Sequence, residues 1–129
     1  MRDGWLGWAI KNQPESVLQQ KHAELGKSSA YPIEVIINRF GRYFTSTVSF
    51  MIALAIHEGA KDIGLAGVNM STESEFADQR AGCEYMIGIA RGMGIPVHLH
   101  PHSPLLKSYN IYGYEPPKGG WSPVLKAVA

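Results

Sequence analysis

The chain has 129 residues, 45% apolar and 18% charged, with a formal net charge of +1. That balance fits a single domain able to bury a real core, and it leaves no basic cluster with which to hold nucleic acid. Cys83 stands alone, which excludes an internal disulfide and fits a reducing compartment. No stretch has the basic start and long apolar core of a signal peptide, and the longest apolar run, around Val48 to Ile56, is too short for a bilayer.

Between Met1 and Asn12, Trp5, Leu6, Trp8, Ala9 and Ile10 are spaced as in a short helix. Two tryptophans so near a terminus call for something to pack against. Pro14 introduces Glu15 to Leu25, which reads as a helix with Val17, Leu18 and Leu25 inward and Gly26 at its end. Lys27 to Ala30 reads as a loop. The next helix begins at Tyr31-Pro32, where the missing N–H of a first-turn proline costs nothing. Ile33, Ile36, Ile37 and Phe40 recur at helical spacing, and Gly41 ends the helix.

The stretch from Thr45 to Met70 follows. Thr45 or Ser46 is the expected N-cap of a helix that is apolar almost all round, with Ser49, Ala53 and His57 as its one small or polar strip. A helix so apolar is expected to be buried. Gly59 closes it. Ile63 to Gly67 then reads as a strand, apolar without alternation, as when both faces are covered. After the polar loop Ser71 to Ser74, Glu75 to Gly92 reads as the longest helix, with Phe76, Cys83, Met86, Ile87 and Ala90 along one stripe. Gly82 and Gly88 within it suggest close approach of another backbone. Ile95 to His100 reads as a second strand, with Pro96 near its start, so the order strand, helix, strand predicts a parallel βαβ crossover. A Pro101-His102-Ser103-Pro104 turn follows, and then a tail rich in Gly, Pro and aromatics.

The architecture expected is α/β, a Rossmann-like, partial doubly wound parallel sheet with few strands and helices on both faces. It is read as one domain: an N-terminal helical segment (1–30), a core (31–107) and an extended tail (108–129). In such sheets the strand C-termini and helix N-termini face one edge, and ligands bind there.

The pattern TSxxxxMxxLAxxxGxxxIxLxGVxM from Thr45 to Met70, followed by a long helix, a strand and a PxSxLL turn, resembles the C-terminal half of the family-42 bacterial sialyltransferases. It is also similar to the wider Rossmann-like superfamily that includes pterin diphosphokinase-like and flagellin-modifying proteins. Phage proteins resembling that superfamily share YPIE from Tyr31, QRxxCEYxIGxARGxGI from Gln79 and IYGYE from Ile111. The resemblance spans Tyr31 to Glu115. It implies that Thr45, Ser46 and Gly67 help hold the CMP part of a nucleotide-sugar donor, with Pro101 and Ser103 nearby. The chain also departs from the family. Asn69 stands where Asp is usual, Ser71 and Thr72 where tyrosines assist the leaving phosphate, and no histidine lies between Lys61 and Val97.

The candidate ligand-binding set is therefore Thr45, Ser46, Gly67, Asn69, Arg80 and Ser103, with no catalytic residue assigned. Thr45 and Ser46 can cradle a phosphate or merely cap the helix. Asn69 can bond a base or ribose, or serve as a turn residue. Arg80 can meet a phosphate, or pair with Asp78, Glu84 or another chain. His98, His100 and His102 alternate as strand side chains do, but Pro101 breaks their register and no metal is assigned to them. Cys83, on the apolar stripe, reads as a buried, inert thiol. Trp5, Trp8 and Trp121 read as packing or interface anchors. No cofactor is called for. Two functions remain open: a cytoplasmic protein binding a nucleotide or nucleotide-sugar, glycosyltransferase-like in fold and of uncertain activity, or a non-enzymatic homo-oligomer using the fold for assembly or small-ligand capture. Neither involves nucleic acid or a membrane.

Overall fold

The computed structural model describes residues 5–21, 23–68, 74–108, 110–117 and 119. The chain divides into two compact units, Met1–Arg42 and Tyr43–Ala129. Among the described residues are helices and two separate two-stranded parallel sheets, so the class is mixed α/β.

In the first unit, α1 (Trp5–Asn12) is the expected N-terminal helix, although Trp8 is largely exposed. The helix expected from Glu15 to Leu25 is replaced by a strand, β1 (Ser16–Leu18), which pairs in parallel with β2 (Ser28–Ala30), Val17 opposite Ser29. The expected loop at Lys27 to Ala30 is thus largely strand. Gln13 supplies the physical reason. Its backbone is left-handed (φ 49°), which stops α1 from running on into Pro14. Its side-chain amide donates to the carbonyls of Ile10 and Glu24, both at 2.8 Å, and its Oε1 accepts the Gly26 N–H at 2.8 Å. Those bonds tie the end of α1 to the turn before β2. Helix propensity in the intervening Gln, Lys and Ala residues is worth only tenths of a kcal/mol each, so it yields. Leu25 is buried as expected, from this turn rather than from a helix, whereas Val17 is exposed. The Tyr31 N–H bonds the Leu18 carbonyl (2.7 Å) and the chain enters α2 (Ile33–Phe40), which ends as predicted at Gly41 with φ 85°.

The second unit contains α3 (Thr47–His57), β3 (Ile63–Leu65), α4 (Ser74–Gly92) and β4 (Val97–Leu99). β3 and β4 pair in parallel, Ile63 opposite Val97 and Leu65 opposite Leu99, so the expected βαβ unit is present with shorter strands. The Ile63 N–H also reaches the Pro96 carbonyl at 2.9 Å, which extends the pairing past a residue that has no N–H of its own. α4 packs against α3 and β4. Its stripe of Cys83, Met86, Ile87 and Ala90 is fully buried, and Ile52, Ala53 and Ile56 of α3 are buried with it. At the far end of α4, Arg91 Nη2 donates to the Val97 carbonyl at 3.0 Å and holds the strand to the helix.

Two expectations change in this unit. α3 is not buried all round: Ser49, Ile52, Ala53 and Ile56 form its buried stripe, and Met51 is 62% exposed. The small strip of Ser49 and Ala53 is a packing face, because small side chains let two helices approach. Likewise β3 is covered on one face only: Ile63 and Val97 are buried, while Gly64 and its partner His98 are exposed.

Candidate functional site

Ser46 is the N-cap of α3, with extended backbone (φ −156°, ψ 160°). Its Oγ accepts the Ser49 N–H at 3.2 Å, and the Ser49 hydroxyl returns to the Ser46 carbonyl at 2.8 Å. This reciprocal arrangement occupies Ser46 as a cap, yet the hydroxyl proton of Ser46 has only a long contact to Ser49 Oγ at 3.3 Å. It remains the more available donor. The N–H groups of Thr47 and Val48 have no carbonyl four residues back within the helix, as in any first turn.

Thr45 does something else. Its hydroxyl donates to the Asp78 carbonyl on α4 at 2.6 Å. With its proton committed there, Thr45 can meet a ligand only as an acceptor, which suits a ribose hydroxyl or a base amine better than a phosphate. The close approach expected at Gly82 occurs at this point: a Cβ there would overlap the Thr45 hydroxyl and come within 3.3 Å of its backbone nitrogen. Gly88 has no such neighbour. Tyr43 stacks edge-on against Tyr85 (centroids 5.3 Å, 81°), so the lead into α3 is pinned to α4 twice. The start of α3 therefore lies against α4 between Asp78 and Tyr85.

Arg80 pairs with Glu84 one turn on, Nε to Oε1 at 3.4 Å, which is one of the pairings its spacing allowed. The other oxygen of Glu84 accepts the Leu106 N–H at 2.6 Å and so fastens the turn after β4 to the same helix. Within that turn Ser103 is buried, its N–H bonds the His100 carbonyl (2.8 Å), and its Oγ accepts the Leu105 N–H (3.3 Å). Leu105 is fully buried and Leu106 is left-handed, φ 54°. Thr45, Ser46, Arg80 and Ser103 are thus linked through α4. Gly67 follows β3 with φ 72° and makes no recorded bond to them. Asn69, Ser71 and Thr72 lie outside the described residues, as does Trp121. Glu84 was visible in the sequence only as a partner for Arg80; its grip on Leu106 is a contact between distant residues that no local pattern signals.

The three histidines do not converge. His98 lies on the exposed face of β4, while His100 and His102 have ring centroids 5.4 Å apart. His100 Nδ1 accepts the His102 N–H at 3.2 Å. No group of three or more metal-ligating side chains comes together among the described residues.

Burial pushes the Cys83 thiol up to about 11, with the Glu84 charge adding to it, which agrees with an inert sulfur. Burial likewise raises the Tyr31 phenol to about 12. An open cleft of about 610 Å³ lies in the first unit, lined by Asn12, Gln13, Pro14, Glu15 and Lys27. It holds none of the candidate residues, and the Gln13 amide is fully engaged in bonds within its own unit. Among the described residues no helix is long and apolar enough to cross a membrane. Compared with known proteins, the chain matches no family model, no curated protein and no solved structure.

Proposed function

We propose that the second unit is a Rossmann-like half-domain, derived from a doubly wound sheet, that binds a nucleotide or nucleotide-sugar along the edge formed by Thr45, Ser46, Gly67, Asn69, Arg80 and Ser103. The observation that carries the reading is the Thr45 hydroxyl bond to the Asp78 carbonyl, which sets the start of α3 against α4 at Asp78 and Gly82. α4 follows β3 in sequence and β3 pairs in parallel with β4, so in this reading the first-turn N–H groups of α3 and the strand ends serve one edge of a βαβ unit. In this reading Thr45 accepts from ribose or base, while Ser46 and the Thr47 and Val48 N–H groups donate to phosphate. The reading is one of binding; no residue is assigned to catalysis. The reduced, buried Cys83 fits a cytoplasmic setting, and the sequence resemblance fits a phage origin.

A thermal-shift panel of nucleotides and sugar nucleotides tests this. We expect one class to raise Tm, with the shift lost in Ser46→Ala and Asn69→Ala. A flat panel would reject the reading.

One observation favours a second reading, self-association without catalysis. Tyr112 and Tyr114 are 95% and 89% exposed. Their turn is nonetheless well fastened, with Ile111 N–H on the Glu115 carboxylate (3.1 Å) and the Tyr114 N–H on the Ile111 carbonyl (3.1 Å). Exposed tyrosines on a hydrogen-bonded turn are good interface anchors. Mass measurement in solution decides this reading: a concentration-independent monomer removes it, and an oligomer dispersed by Tyr112→Ala with Tyr114→Ala supports it.

A further inference from the structure

We propose that Glu84 is a positioning residue that joins Arg80 and the turn at residues 100–106 into one phosphate-binding unit. This rests on the nucleotide reading above and names the part of the ligand held there, its phosphoryl end. A single carboxylate serves two elements: Oε1 meets Arg80 Nε at 3.4 Å and Oε2 takes the Leu106 N–H at 2.6 Å. The second bond is short and charge-assisted, and it restrains a residue in a backbone region that leucine rarely occupies (φ 54°). Just upstream, buried Leu105 and the Ser103 Oγ bond to its N–H fix the same turn from within.

On both sides of this clasp, donors have no acceptor among the described residues. The Arg80 side chain is only 17% exposed, yet its recorded bond uses Nε alone. Nη1 and Nη2 have no carboxylate or carbonyl among the described residues. A guanidinium anchored by Nε presents its forked end to a second anion, and two parallel N–H bonds to phosphate oxygens fit that fork. The Ser103 hydroxyl accepts from Leu105 but has no recorded acceptor for its own proton, although the residue is buried. A phosphoryl group provides acceptors for both, and its charge offsets a cation whose ion pair among the described residues is long, 3.4 Å. Glu84 contributes no bond to the ligand; it ties the element that carries one donor to the turn that carries the other.

Calorimetric titration of the full chain with the four nucleosides, their 5′-monophosphates and inorganic pyrophosphate tests this. The readout is the ratio of phosphorylated to unphosphorylated affinity, because a general loss of structure would lower both alike. We expect the phosphorylated ligand to bind about tenfold tighter, as for hydrogen bonds to a charged group. Arg80→Gln should abolish that margin, Arg80→Lys should not restore it, and Glu84→Gln should shrink it while nucleoside affinity holds. Nucleotide binding with a margin unchanged in Arg80→Gln overturns this inference and leaves the nucleotide reading standing. Arg80-dependent pyrophosphate binding without nucleoside affinity keeps the inference and removes that reading. No binding by any probe overturns both. Should Glu84→Gln fail to fold, Glu84→Asp takes its place, and a margin unchanged in the folded Glu84 variant overturns the positioning role.

Discussion

At the scale of residues, α4 contains two interior glycines, Gly82 and Gly88, that the sequence treats alike and the structure separates. Gly82 faces Thr45 so closely that any Cβ must move the Thr45 hydroxyl off the Asp78 carbonyl or push the α3 backbone away. Gly82→Ala should therefore lose roughly 1–3 kcal/mol despite its better helix propensity. A cycle with Thr45→Ala should be strongly non-additive, since removing the hydroxyl opens the space. A Cβ at Gly88 would meet nothing within 4 Å, and Gly88→Ala should stabilise by about 0.5–1 kcal/mol. Urea unfolding of both variants checks the pair. Cys83 supplies a pH test. Its thiol is raised to about 11 in the folded chain, so the neutral form is favoured by folding. That contribution is complete below the ordinary thiol pKa and is lost as pH climbs towards the folded value, on the order of 2 kcal/mol. Cys83→Ala should flatten this alkaline loss, and alkylation of the native chain at neutral pH should be slow.

At the scale of elements, helix ends were more legible than strands. Gly41 and Gly59, with φ 85° and 86°, follow α2 and α3 where expected, because a left-handed terminator leaves a signature in one residue. Ser46 as N-cap was likewise readable, and Ser46→Ala should cost α3 about 1 kcal/mol by stripping its reciprocal bond with Ser49. Circular dichroism melts measure that loss. β1 and β2 were not legible. Their pairing depends on the Gln13 side chain reaching Glu24 and Gly26 across the intervening turn, while Gln19, Gln20 and Lys21 all favour helix locally. Gln13→Ala should accordingly loosen the first unit more than any exposed change in α1, read as faster amide exchange at Ser28 and Tyr31.

For the molecule as a whole, the βαβ unit of β3, α4 and β4 was legible because apolar runs separated by an amphipathic helix have few other solutions. How far its sheet is covered was not, since exposure of Gly64 and His98 depends on what the rest of the chain supplies. The candidate edge divides in the same way. Thr45, Ser46 and Arg80 were nameable from helix position and spacing. The bonds that link them, Thr45 to Asp78 and Glu84 to Leu106, join residues far apart in sequence and had to be seen. The central claim is that this edge holds a nucleotide, and amide-resonance mapping of the labelled full chain tests it most directly. On addition of the nucleotide that gives the largest thermal shift, perturbations should gather at Thr45 to Val48, Gly67, Asp78 to Glu84 and Ser103 to Leu106, leaving β1 and β2 unmoved. Perturbations confined to the first unit, or none at saturating nucleotide, would contradict it.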